Sequence, residues 1–525
     1  MLHKIKDSYM SANDHFKVRG SFCIEETPEP AAFVIFGASG DLTSRKLIPS
    51  LYKLFQKNLI PEDFYIIGCA RSPFKDDSFR KKVEHSIREH SDKPSQNRIR
   101  DFLDRCFYIS GGYDAEEMYR MLRKRLDTLD KRYLPVRNHI FHLATPPFVY
   151  PLILENLGLS GLSKEGKKGS GNVRVIIEKP FGSDLDTAME LEKILKKSFA
   201  EHQIYRIDHY LGKDTVQNIL LFRFANSIFE PIWDRSYIDN VQITVVESIG
   251  DEHRAAYFEK AGLLRDMFQN HMLQMLSLVA MEPPISFDAD RVRDEKVKLL
   301  RAIRHFEMDE LRDTIIRGQY GPGIIDGEKV NGYKEVKGVN SDSKTETYVA
   351  AKIMVDNWRW QGVPFFLRAG RRLERKASKI AVQFKAVPHS MFYPLTPDDL
   401  SPNVLVFHVQ PEEGISLRIQ AKHPGPKLCM DSLEMDFRYS EVYEGILPEA
   451  YERLLLDCMV GDPTLFIRRD DMEVAWSLIT PVLKAWEGDP EFKKTGQLHE
   501  YPAGSWGPAA TEELVNREDR HWIKV

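Results

Sequence analysis

The sequence predicts two folded units, a parallel α/β domain followed by a larger α+β domain with a mainly antiparallel sheet. Three observations carry this. Between residues 29 and 205, short apolar runs alternate with segments of helical period, as in a doubly wound sheet. From residue 348 to 439, strand-like runs follow one another across short turns, which suits antiparallel neighbours. And 525 residues exceed what one ordinary core holds.

Residues 1–28 mix Lys4, Lys6, Asp7, Asp14 and Lys17 without an apolar segment, so a flexible N-terminal tail is expected rather than a signal peptide. Residues 31–36 are fully apolar, the mark of a strand buried on both faces. They run straight into Gly37-Ala38-Ser39-Gly40-Asp41-Leu42-Thr43-Ser44, and Leu42, Leu47, Ile48, Leu51, Leu54 and Phe55 then recur at helical spacing. Phosphates approach a backbone only where side chains are missing, and free amides at a helix start bind their charge. Strand, glycine turn and helix together therefore read as a Rossmann-like dinucleotide site. The spacing G-x-x-G-x-x-T departs from the usual G-x-G-x-x-G, and a plain tight turn would share its two glycines.

The strand at 64–67 ends in Gly68-Cys69-Ala70-Arg71-Ser72. An NAD site asks for an acidic residue here; a cation and a hydroxyl favour the 2′-phosphate of NADP, although strand ends often carry an exposed arginine. Strands at 107–109, 139–143 and 173–177 alternate with helices at about 115–130 and from about 148, with a Gly/Lys/Ser-rich loop at 160–172. The last strand opens into Glu178-Lys179-Pro180. Ligands bind beyond the carboxyl ends of such strands, so Arg71, Tyr150 and Lys179 share the edge that carries the glycine turn.

After a helix at 184–198 comes RIDHYLGK, residues 206–213, which gathers a carboxylate, an imidazole, a phenol and two cations without Ser or Asn filler. Such density suits a corner at a cleft. It opens the second unit, 206–488, ahead of a C-terminal arm, 489–525. Residues 240–248 alternate and end on Glu247 and Ser248. Leu264, Met267, Phe268, His271, Met275 and Leu278 form one stripe of a long helix. A histidine on such a stripe is ordinarily a core residue. Asp266 lies five positions earlier, about 140° round an α-helix, so an orienting carboxylate for His271 must come from elsewhere, with Asp208 the obvious donor.

Residues 282–300 suit a charged helix and 318–346 a Gly/Asp/Lys-rich loop. Strands are expected at 348–355, 364–369, 380–384, 404–409, 416–421 and 433–439, and helices at 448–460 and 470–487 to cover one face of the sheet. The open face would suit a homo-oligomer. Arg368, Arg371, Arg372, Arg375 and Lys376 surround Gly370. Such a run is usually solvated, but arginines also embrace phosphate bidentately, and periodicity leaves both open.

Composition narrows the function. Lys plus Arg is 74 against 78 Asp plus Glu, a net charge of -4, which gives no reason to expect nucleic acid or acidic lipid as a partner. Cys23, Cys69, Cys106, Cys429 and Cys458 are scattered with no CxxC, so neither a disulfide framework nor a thiolate metal site is expected and a reducing cytoplasm fits. No run approaches the roughly 18 apolar residues of a membrane helix.

GASGDL, EKPFG, RIDHYLGK, RDMFQNH and LRAGRRLERK occur together and in this order, and jointly they resemble the glucose-6-phosphate dehydrogenase family from about residue 30 to about 487. The resemblance implies oxidation of carbon 1 of glucose 6-phosphate to the 1,5-lactone with hydride passed to NADP, the opening step of the pentose phosphate pathway, in a homodimer or homotetramer that needs no metal. It implies that His271 is the base and Asp208 orients it. It further implies that His209, Tyr210, Lys213 and Arg375 hold the phosphate, Glu247 and Asp266 hold sugar hydroxyls, and Lys179 bridges substrate and coenzyme. Gly37 to Ser44, Arg71 and Tyr150 would touch the coenzyme. Many members have lysine where this chain has Arg371, and the loop onward to Arg375 is one residue shorter here. Two other readings compete: an NADP-linked oxidoreductase of an unphosphorylated sugar, opposed by His209, Lys213 and Arg375, and a silent nucleotide-binding subunit, opposed by Asp208, His209 and His271.

Overall fold

The computed structural model describes residues 2–5, 21–24, 27–91, 95–133, 137–166, 171–250, 255–443, 448–488 and 497–523. In the expected N-terminal tail, Leu2–Ile5 and Ser21–Ile24 pair as an antiparallel ribbon, and most of the remaining tail lies outside the described residues.

The first sheet is built from β1 (Ala32–Phe36), β2 (Tyr65–Ala70), β3 (Cys106–Ser110), β4 (His139–Leu143), β5 (Val173–Ile177) and β6 (Ile204–Ile207), all mutually parallel. Every residue of β1 and β2 is buried, which is why these strands read as continuous apolar runs. The second sheet has nine strands: β7 (Ile238–Val246), β8 (Ile315–Gly321), β9 (Tyr348–Met354), β10 (Pro364–Gly370), β11 (Ala377–Phe384), β12 (Val404–Gln410), β13 (Gly414–Lys422), β14 (Met430–Arg438) and β16 (Leu498–Pro502). A two-residue β15 (Phe466–Ile467) lies between the last two in sequence but belongs to the first sheet. The nine-stranded order is β14-β13-β12-β11-β7-β10-β9-β8-β16, antiparallel except for the pairs β7/β10 and β8/β16.

Four expectations need correction. Residues 318–346 are not all loop: they contain most of β8 and a hairpin, Gly323–Ile325 with Glu328–Val330. The glycines of β8 mask its alternation, and Gly318 is small because a Cβ there would stand 2.6 Å from Pro508 Cγ. That contact belongs to the second correction. Residues 497–523 are no extended arm, since β16 joins the sheet edge beside β8 and Trp522 is buried against Phe366.

The late helices pack mainly on other helices rather than over one face of the second sheet. Ala450–Val460 packs on Ile48–Gln56 of the first domain, where Lys53 and Lys57 meet Glu452, and Lys46 just ahead of that helix meets Glu449. Arg469–Gly488 packs on Leu185–Ser198 and Ala289–Arg301, and between the two late helices β15 adds an antiparallel edge to β6. Finally, the long helix of the His271 stripe is three pieces. Ala255–Leu263 breaks at Gly262 (φ 66°), Leu264–Met272 is π-helical, and Leu273–Ala280 is α-helical. One hydrophobic core runs through both sheets. Among the described residues no helix is long and apolar enough to cross a membrane.

Candidate active site

β6 delivers Arg206 into the core, where it meets Glu192 and Glu201, and the chain then turns through Asp208 to Lys213 before the helix Asp214–Phe224. At this corner the His271 ring nitrogen Nδ1 is hydrogen-bonded to Asp208 Oδ1, and the two side chains are 0% and 1% exposed. The Tyr210 amide donates to the same carboxylate oxygen at 2.9 Å. Tyr210 stacks on the His271 ring at 4.4 Å and His209 meets it edge-on at 4.5 Å, so the imidazole is held on three sides. With Nδ1–H donating to the carboxylate, Nε2 carries the free lone pair; it is buried without a protein partner, on a residue that lines the cleft.

Burial pushes the His271 imidazole well below its ordinary range, and the ammonium groups of Lys179 and Lys213 push the same way against Asp266. Both effects favour the neutral ring. Burial also lifts the Asp208 carboxyl, opposed by His209 and the Tyr210 amide. Asp208, His209 and His271 bring potential metal-ligand atoms within 4.8 Å of one another, two of which are engaged with each other in the hydrogen bond.

The π-helical turn changes the place of Asp266. In i→i+5 geometry residues five apart fall on the same side, so Asp266 and His271 both line the cleft, whereas α-helical spacing predicted divergence. Asp266 takes Lys179 Nζ at 3.2 Å on Oδ1 and 2.7 Å on its carbonyl. Arg371 Nη2 donates to Asp266 Oδ2 at 2.9 Å and Nη1 to Glu247. The lysine, the arginine and the two carboxylates thus form one connected group. Lys179 is itself anchored, because the neighbouring Glu178 carboxylate binds His142 at 2.9 Å and Tyr451 of the late helix at 3.0 Å. Tyr150 donates to the Glu178 carbonyl at 3.1 Å, so this expected coenzyme residue is buried and braces the same strand end.

The other end of the cleft, about 680 Å³ in all, is rimmed by Lys213, Lys376, Arg45, Lys46, Gln410 and Glu413. Lys213 Nζ donates to Gln410 at 2.5 Å, and burial lowers its pKa to about 8. Two observations bear here on the expected phosphate ligands. Burial, with the ammonium groups of Lys179 and Lys213 nearby, holds His209 well below its usual range, which favours a neutral imidazole. Arg375 is exposed with its guanidinium 5.6 Å over the Trp506 ring and is not among the lining residues; its neighbour Lys376 is.

At the glycine turn, Gly37 has φ 88°, and a Cβ there would lie 2.2 Å from the Ala144 carbonyl oxygen. The Gly40 amide bonds back to Gly37 at 2.8 Å and Thr43 Oγ1 to the same carbonyl at 3.1 Å, which ties the turn to the helix start, Thr43–Leu47. Ser39 and Ser72 hydroxyls meet at 2.9 Å and join the turn to the end of β2, where Arg71 stands exposed. Gly40, Asp41 and Ser44 border a second hollow with Arg45 and Lys82. A chain without side chains at 37 and 40, beside an exposed cation, fits a dinucleotide phosphate.

Two family models cover the chain, "Glucose-6-phosphate dehydrogenase, NAD binding domain" over residues 34–218 and "Glucose-6-phosphate dehydrogenase, C-terminal domain" over 220–523. The chain belongs to the glucose-6-phosphate dehydrogenase family. It is 44% identical to glucose-6-phosphate 1-dehydrogenase of Chlamydia pneumoniae over 504 residues, 94% of this chain and 96% of the relative. It is 42% identical to the Bacillus subtilis (strain 168) enzyme of the same name, covering 94% and 98%. A solved glucose-6-phosphate dehydrogenase in complex with its substrate glucose-6-phosphate superposes with TM-score 0.86 at 37% identity, over 96% of this chain and all of that one.

Within this glucose-6-phosphate dehydrogenase scaffold, sequence reasoning missed Lys376, Arg45, Lys46, Gln410, Glu413 and Tyr451 as cleft residues. Lys376 lay inside a cation run whose individual directions no periodicity reveals. Gln410 ends β12, and only the sheet register brings it beside Ser378, to which it donates at 2.9 Å.

Proposed function

We propose that the chain oxidises D-glucose 6-phosphate at carbon 1 to 6-phospho-D-glucono-1,5-lactone, with NADP as the coenzyme. The observation that carries this is the unpartnered Nε2 of a neutral, buried His271 whose Nδ1 is held by Asp208. His271 Nε2 accepts the proton of the 1-hydroxyl as hydride leaves carbon 1, and Asp208 stabilises the imidazolium that forms. NADP, when bound, supplies the hydride acceptor. Glu247, Asp266 and Arg371 orient the sugar hydroxyls, and Lys179 stands between substrate and coenzyme. Tyr210, Lys213 and Lys376 hold the phosphate end together with the neutral His209, and they favour a phosphorylated sugar over a plain one. Positioning the two reactants supplies much of the rate.

Arg71 and Ser72 at the end of β2, in place of an acidic residue, support NADP over NAD. A cytoplasmic homodimer or homotetramer fits the scattered cysteines and the edge strand β14, which leaves Leu433 and Met435 about half exposed (48% and 52%). The deciding assay follows NADPH absorbance with purified protein, glucose 6-phosphate and each coenzyme in turn. Turnover with NADP well above that with NAD is expected; equal use of both would overturn the coenzyme assignment, and no turnover with either would overturn the reaction.

A further inference from the structure

Glu346 is a buried carboxylate that the chemistry above does not use; it is 7% exposed and stands two residues before β9. Its backbone carbonyl accepts from the Leu263 amide at 3.1 Å, and its side-chain Oε1 accepts from the Leu264 amide at 3.0 Å. These are successive free amides at the start of the π-helical turn, so one residue some eighty positions away caps that turn twice. The preceding Gly262 is shaped to this contact. Its φ is 66°, and a Cβ there would stand 2.4 Å from Glu346 Oε1.

The neighbouring Thr347 faces the other wall of the cleft. Its carbonyl accepts from the Arg371 amide at 2.9 Å, and its hydroxyl meets the Tyr501 hydroxyl at 2.9 Å, which in turn lies 2.8 Å from the Arg371 carbonyl. Two adjacent residues therefore hold the helix that carries Asp266 and His271 and the loop that carries Arg371, and these meet across the cleft at 2.9 Å. Burying a carboxylate is costly unless compensated. Here the amides of a helix start, with Arg265 and Arg317 nearby, offset part of that cost, and burial still lifts the carboxyl above its ordinary range.

We propose that Glu346 is a positioning residue that sets where the π-helical turn begins, so that Asp266 and His271 face the cleft together and opposite Arg371. The inference rests on the reading of His271 as the base. It concerns the length and acceptor geometry of the side chain, so Glu346→Asp, which withdraws the carboxylate, and Glu346→Gln, which keeps an acceptor at the same reach, are its discriminating pair. Glu346→Asp is expected to lower kcat by about tenfold or more, with the KM for NADP within about twofold, because misplacing a base is felt in the chemical step. Glu346→Gln is expected to retain at least about half of the parent kcat. Thermal melts give the folded fraction used for normalisation, and a merely structural role would lower Tm while leaving kcat per folded molecule unchanged. Parental kcat in folded Glu346→Asp, or equal slowing in both variants, overturns the proposal. Glu346→Ala is a third probe expected to behave like Glu346→Asp; if it does not fold, the Asp and Gln pair decides alone. A His271→Asn control separates the two levels: normal turnover there removes the base assignment itself, whereas an inactive control with an unaffected Glu346→Asp removes only the positioning role.

Discussion

At one end of the cleft Asp208 and His271 are closed off from solvent and joined by a hydrogen bond, with the Tyr210 amide on the same carboxylate oxygen and aromatic rings against the imidazole. At the other, Lys213, Lys376 and Lys46 stand around an opening, partly exposed, with Lys46 already paired to Glu449. The first end works by geometry and desolvation, so it has one arrangement and no substitute for any member. The second works by summed charge, which several cations share, so losing one weakens it without abolishing it. On the proposed function, the chemistry is placed where water is excluded, and the substrate's charged end where water can leave and return.

The sharpest test of this contrast removes the base. His271→Asn is expected to lower kcat by about a thousandfold, within the usual range for a general base, while the KM for glucose 6-phosphate moves less than about threefold. Ordinary turnover in that variant would break the assignment of the dry end. Lys213→Ala should act the other way, raising the KM by about ten- to a hundredfold through loss of a charge-assisted hydrogen bond, with kcat much less affected. An unchanged KM would show that the phosphate is held elsewhere.

The smallest effect is one of pH. Burial places the Lys213 pKa at about 8, so the free enzyme keeps this ammonium below that pH and loses it as pH rises through it. The KM for the phosphate dianion should therefore climb above pH 8 by a fewfold, and the climb should vanish in Lys213→Gln. A KM that stays flat in the parent across that interval would show that Lys213 remains charged. His271 is displaced below its ordinary range, so no loss of base is expected from it near neutrality.

Much of this was legible beforehand where burial and chemistry leave one-dimensional signs. β1 and β2 are covered on both faces and read as apolar runs; RIDHYLGK shows itself by charge density alone. The rest depends on long-range partners. β8 hides behind its glycines, of which Gly318 admits Pro508 and Tyr501 and Gly321 admits Glu500 from the far end of the chain. Apolar spacing does not distinguish an α-turn from a π-turn, so spacing alone set Asp266 about 140° from His271, although both line the cleft as the family resemblance implied for Asp266. Arg375 and Lys376 are adjacent in a cation run, and only the fold turns one into the cleft and the other toward Trp506.

The short strand β15 has a consequence for assembly. It closes the edge of the first sheet at β6, one residue before Asp208, yet it consists of residues 466 and 467. A chain synthesised from its N-terminus exposes that edge, and the catalytic corner next to it, until nearly nine-tenths of its length has been made. The glycine turn precedes β15 by some four hundred residues, and the last parallel strand, β6, precedes it by about 260, whereas the cleft wall at residues 448–451 belongs to the start of a late helix. On the proposed function, the segments that bind coenzyme and those that complete the cleft are thus separated in the order of synthesis.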